Sequence, residues 1–162
     1  MPEGDTASPD RETTVRSRGC VACGTENPIS LGMQPRREDD KVVCELSVRR
    51  EFRGYSNVAH GGTTCMILDE LMGAVASLRA PNVVVATARI EVRYLRPVPV
   101  ETPVRGEAWL VGESGADFDV ASRLLDQRGR VLAEAEARFR ALSPERAASF
   151  VPGRDPEPAG RP

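Results

Sequence analysis

The residues best suited to chemistry lie in one segment, 59–73, which reads AHGGTTCMILDELMG. It holds the chain's single histidine, His60, ahead of Gly61-Gly62, and two acids, Asp69 and Glu70, within an otherwise apolar run. Adjacent glycines let backbone approach a ligand without interference from Cβ. Where a helix begins, unpaired N–H groups and the helix dipole favour developing negative charge. Together these make an oxyanion hole in kind. Asp69 follows Gly62 by seven residues, which is two helical turns on the same face and about 10 Å along the axis. A carbonyl under attack must lie about 3 Å from both its oxyanion donors and its attacking group. One helix cannot offer both to one substrate, whereas two antiparallel helices across a dimer can. The spacing therefore predicts a homodimer with two composite sites. Glu70 points about 100° away and is assigned a structural ion pair with Arg89 or Arg93. His60 is expected to orient the turn through its ring nitrogens, without proton transfer.

The elements that must position these groups are legible from periodicity. Helical spacing runs from Gly62 to about Arg79, where Pro81-Asn82 ends it. Residues 41–49, 83–98, 104–114, 117–126 and 131–142 read as strands, the last two joined by the hairpin turn Gln127–Arg130. In AEAEARFRA the period of two outweighs the helix propensity of Ala and Glu. One strand, a long helix and four further strands argue α+β. The helix is apolar on nearly all sides and so must be wrapped rather than merely laid on a sheet. An antiparallel sheet around one long central helix meets that need, and pairing with a second copy would cover its free edges. Residues 18–142 are the expected folded domain. The polar tails 1–17 and 143–162 are read as disordered.

Composition excludes several roles. Net charge is −2 with acids and bases interspersed, which gives no basic stripe for nucleic acid. No apolar run reaches the length of a membrane span, and the amino terminus lacks an apolar signal core, so a cytoplasmic protein is expected. Lys41 is the only lysine, a bias read as genomic. The four cysteines, Cys20, Cys23, Cys44 and Cys65, are read as thiols. Cys20-Val-Ala-Cys23 is half of a tetrahedral zinc site, but the chain has no second such pair. Gly24 and Asn27-Pro28 follow at once, so the segment is read as a turn. Only a metal shared between subunits would complete it, and no metal and no cofactor are assigned.

HGGTTCMILDELMG, with VATARIEVRYLRPVPV and the closing alternating strand, resembles the hotdog-fold acyl-CoA thioesterases of the PaaI type. CVACGTENPISLGM resembles the amino-terminal segment of one branch of that family. The resemblance covers about residues 20–142. It implies dimers with sheets continuous across the interface, or dimers of dimers, and hydrolysis of acyl-CoA or acyl-carrier thioesters without a metal or prosthetic group. By position it implies that Gly61 donates its amide to the thioester carbonyl. Asp69 becomes base or nucleophile, and Thr87 a hydroxyl that holds water. His60, Gly62 and Asn57 are expected to contact substrate, Asn57 lying three residues from the position where relatives carry the assisting amide, and Met66 and Met72 are expected to line an acyl channel. One departure stands out: where many relatives carry Asn or Gln six residues before the histidine, this chain has Gly54. Two other readings remain, a hotdog hydratase and a hotdog module that binds acyl thioesters without turning them over.

Overall fold

The computed structural model describes residues 17–150. Most of the two expected tails therefore lies outside the described residues. In chain order the elements are β1 (Arg36–Glu38), β2 (Lys41–Ser47), a 3₁₀ turn (Arg50–Phe52), β3 (Arg53–Tyr55), β4 (Val58–Ala59) and α1 (Gly61–Arg79). These are followed by β5 (Val85–Tyr94), β6 (Pro103–Ser114), β7 (Asp117–Leu125), β8 (Val131–Ala141) and α2 (Pro144–Phe150). Six strands form one antiparallel sheet in the order β1-β2-β6-β7-β8-β5, and β3 and β4 make a small hairpin of their own. The short β1 and the ten-residue β5 are the two edges.

Period-two alternation gives the sheet two different faces. In β7, Phe118, Val120, Ser122 and Leu124 are buried, while Asp117, Asp119 and Arg123 point the other way. In β8 the inward set is Ala133, Ala135, Ala137 and Phe139. Those alanines and Gly106 on β6 admit α1 at close range. A Cβ at position 106 would run into the Leu71 side chain, so any residue but glycine there requires Leu71 to move. The outward face is a ladder of ion pairs, with Asp117–Arg140 and Asp119–Arg138 bridging β7 and β8.

α1 is wrapped, as its apolar perimeter requires, but the sheet covers only part of it. The remainder is closed by residues 18–35, which contain no strand. Ala22, Cys23, Leu31 and Met33 from this segment join the core. Backbone bonds from Leu31 N–H to Val21 C=O (2.8 Å) and from Met33 N–H to Ala22 C=O (3.0 Å) fold the segment onto itself.

At the other end, residues 144–150 were expected to be unstructured and instead form α2. Ser143-Pro144-Glu145 is a helix start: serine at the cap, proline in the first helical position and an acid in the first turn. Ala147 N–H donates to Ser143 C=O (2.8 Å). A short start signal before a proline-rich tail is easily lost in the composition around it.

Candidate active site

The loop before α1 is braced first. His60 N–H donates to Phe52 C=O (2.9 Å), and Thr63 Oγ1 donates to the same carbonyl (3.2 Å). His60 is the N-cap of the helix, and its Nδ1 accepts from Gly62 N–H (2.9 Å). The ring thus satisfies one of the orphan donors of the first turn. Gly61 N–H, the first amide of the helix, has no carbonyl a turn earlier to bond and faces an exposed surface.

Gly61, Cys65 and Asp69 recur every four residues and so form one stripe along α1. Edge strand β5 lies against this stripe. At its carboxyl end Tyr94 donates its hydroxyl to Gly61 C=O (2.9 Å). Near its amino end Thr87 donates its hydroxyl to Asp69 Oδ1 (2.9 Å). Asp69 is half-buried and Thr87 exposed. Burial, and then the Asp69 charge, push the Cys65 thiol up from its ordinary value of 9.0, which makes it a poor nucleophile at neutral pH. Burial, and then Cys65, likewise raise Tyr94, which keeps its phenolic proton for the Gly61 carbonyl.

Simple alternation along β5 places Thr87 opposite Ile90, Val92 and Tyr94. The structure places it with them. Thr87 pairs with Phe139 and Arg89 with Arg138, which leaves Ala88 as an extra residue in the ladder. This bulge changes which side of the strand each earlier side chain faces. Thr87 is thereby turned towards the core, as its partner Phe139 is, and meets Asp69.

Asp69 and the Gly61 amide are eight residues apart on one helix, about 12 Å along the axis. That is too far for one carbonyl to touch both.

A family model for the Thioesterase superfamily matches residues 56–133, which run from the turn before the site to the start of β8. That segment resembles the superfamily, and the fold is a hotdog fold. Among solved structures, a thioesterase superfamily protein is similar over 76% of this chain and 60% of its own, with TM-score 0.69 and 23% identity. The E. coli PaaI protein from the phenylacetic acid degradation operon gives TM-score 0.65 at 13% identity, covering 74% of this chain and 88% of that one. A Streptococcus mutans protein bound to acetyl CoA gives 0.61 at 17%, covering 68% and 89%. A curated relative, Verlamelin biosynthesis protein B of Lecanicillium sp, is 29% identical over 114 residues, 53% of this chain. The chain spans about half the length of that relative, 49%.

Within the hotdog domain, other expected site residues fall in different places. Asn57 is exposed beside the β3–β4 hairpin, and its carbonyl accepts from Val100 N–H (3.1 Å). Gly54 packs against the site's own turn: a Cβ there would stand 3.3 Å from His60 Cα, tighter than ordinary contact. The tight approach of β3 to the histidine therefore disfavours any side chain at 54, including an amide. Met66 is half-buried, but Met72 is fully buried among Leu68, Leu71 and the sheet. Six residues turn a helix by about 600°, so the two methionines do not share a side, and Met72 is core rather than channel wall.

Glu70 is also placed differently from expectation. Arg93 pairs with Glu134 and Arg89 with Glu91, because the alternation of β5 sends both arginines to the face away from α1. Glu70, 3% exposed, instead lies under the cysteine loop, where Cys20 Sγ donates to its Oε2 at 3.7 Å. Among the described residues, Cys20, Cys23 and Glu70 bring three possible ligand atoms within 4.8 Å of one another. The C-x-x-C pair was visible in the sequence, but its third member comes from a helix 47 positions later than Cys23, and no local spacing reveals it.

Proposed function

We propose that this hotdog domain hydrolyses acyl thioesters, with acyl-CoA or an acyl-carrier thioester as substrate, in a cytoplasmic homodimer or dimer of dimers. The reading rests on one observation: a half-buried aspartate bonded by Thr87 lies on the same helical stripe as the open amide of Gly61, but about 12 Å from it. Two helices side by side and antiparallel would bring each Asp69 to the other's Gly61. The ten-residue edge strand β5 offers the pairing surface that such a dimer needs. Asp69 takes a proton from water, which attacks the thioester carbonyl, and the Gly61 amide holds the oxyanion. Thr87 fixes the carboxylate or the water. Collapse of the tetrahedral intermediate expels the thiolate, leaving a carboxylic acid and a free thiol after protonation. Direct attack by Asp69 would give a mixed anhydride that water then opens, with the same products. The match to the superfamily model and the acetyl CoA bound by the S. mutans protein support the substrate class.

The test assays wild type and Asp69→Asn against a panel of acyl-CoAs, with oligomeric state measured for both. Turnover by wild type, lost in a variant that keeps the same oligomer, supports the proposal. Wild type that binds acyl-CoA without hydrolysing it would move the assignment to a binding module, a reading that glycine at position 54 favours. A monomeric enzyme with full turnover would remove the composite site.

A further inference from the structure

The flank of α1 opposite the catalytic stripe holds a second cluster that thioester chemistry does not use. Residues 20–24, Cys-Val-Ala-Cys-Gly, fold into a tight knuckle: Gly24 N–H donates to Cys20 C=O (2.9 Å), and Ala22 N–H points at Cys20 Sγ (3.3 Å). Gly24 is required for the shape, since a Cβ there would collide with the backbone of Arg18 and Cys20. Facing the knuckle is Glu70, and both Cys23 and Glu70 are 3% exposed. Cys20 is half-buried, which leaves an approach from solvent.

The spacing of these atoms, which holds a thiol hydrogen bond in the metal-free chain, is also close to what a zinc ion would need. Zinc bonds of about 2.3 Å to thiolate and 2.0–2.2 Å to carboxylate, at a tetrahedral angle, set sulfur and oxygen about 3.5 Å apart. Cys20 Sγ and Glu70 Oε2 are 3.7 Å apart, and all three donor atoms lie within 4.8 Å of one another. Two soft sulfurs with one carboxylate favour zinc over calcium or magnesium, which prefer all-oxygen shells. We propose that Cys20, Cys23 and Glu70 bind a zinc-type divalent cation that fastens the amino-terminal segment to α1, with a water in the fourth position. Binding exchanges two thiol protons for one divalent ion: M²⁺ with two thiols and a carboxylate gives the bis-thiolate carboxylate complex and releases two protons. The cation would fix the rotation of α1 one residue from Asp69, without touching substrate. The proposal does not depend on the thioesterase reading.

The test uses the full chain, stripped of metal and reduced, and titrated with Co²⁺ and then Zn²⁺. Expected are about one equivalent bound per chain, a thiolate-to-cobalt charge-transfer band, and about two protons released per metal near neutral pH. Cys20→Ser with Cys23→Ser should abolish the band, and Glu70→Gln should weaken binding by tenfold or more. Wild type that takes up no cobalt at stoichiometric concentration would overturn the site, and this measurement needs no variant to fold. A double serine variant that binds as tightly as wild type would overturn it equally. Acyl-CoA hydrolysis can succeed or fail without altering either result.

Discussion

Asp69 and Glu70 are neighbours in the chain, yet the fold treats them oppositely. Asp69 is half-buried on a flank where β5 supplies a hydroxyl and the surface stays open. Glu70, one residue and about 100° further round, is sealed at 3% exposure beneath the cysteine knuckle. A helix apolar on nearly every side can thus carry two acids of different kinds. One is kept within reach of solvent, and the other is shut in against the Cys20 thiol. The difference comes from what is packed on each flank: an edge strand that a second copy can extend, or a loop that closes.

Exchanging the properties of the two acids tests this contrast. The largest effect expected is on the open flank, where Asp69→Asn should lower kcat by at least about a hundredfold with a thermal midpoint close to wild type. On the sealed flank the effects reverse. In the presence of a chelator, Glu70→Gln should destabilise by about 1–3 kcal/mol, read as a fall of several degrees in Tm, with kcat per folded molecule within about threefold. A variant at 70 that lost activity but not stability would erase the distinction. Thr87→Val keeps the shape and removes the bond to Asp69, so kcat should fall about tenfold, the kinetic equivalent of one hydrogen bond to a charged group. KM and Tm should barely move.

The smallest effect lies on the outward face of the sheet, where the hydrogen bond and charge of Arg36, helped by Arg105, lower Glu45 from 4.5 to about 2. A folded-state value below the unfolded one adds stability above about pH 4.5, which is lost as pH falls towards 2. Glu45→Gln should therefore lower Tm by about a degree or two at pH 7, and the gap should close near pH 2 in acid melts. Neither change should touch turnover.

Much of this was legible in the sequence because it is local. The α1 span, the hairpin of β7 and β8, and the choice of strand over helix for AEAEARFRA follow from period and turn chemistry. The helix start at His60-Gly61-Gly62 does too, since cap and glycines adjoin. What was not legible depends on meetings between distant segments. Glu70 cannot be matched to Cys20 and Cys23 until the loop folds over α1. The ion pairs first assigned to Arg89 and Arg93 fail because a strand's outward side cannot reach a helix on its inward side. Met66 and Met72 looked alike by residue type and differ only in which wall each faces. Glycine at 54 read as a missing amide, whereas the structure gives it a steric cause in the backbone of His60.

The extra residue at Ala88 makes the inward order of β5 a spliced one. From Tyr94 back to Ile90 the strand keeps one beat, and before Ala88 it keeps the other. A hydroxyl can therefore be handed to the helix without disturbing the hydrophobic register that anchors the far end. The Thr87 end of β5 is in this sense an independently set piece. Straightening the strand with every residue kept, so that Ala88 instead of Thr87 stands opposite Phe139, would turn Thr87 away from Asp69 and leave Tyr94 on Gly61.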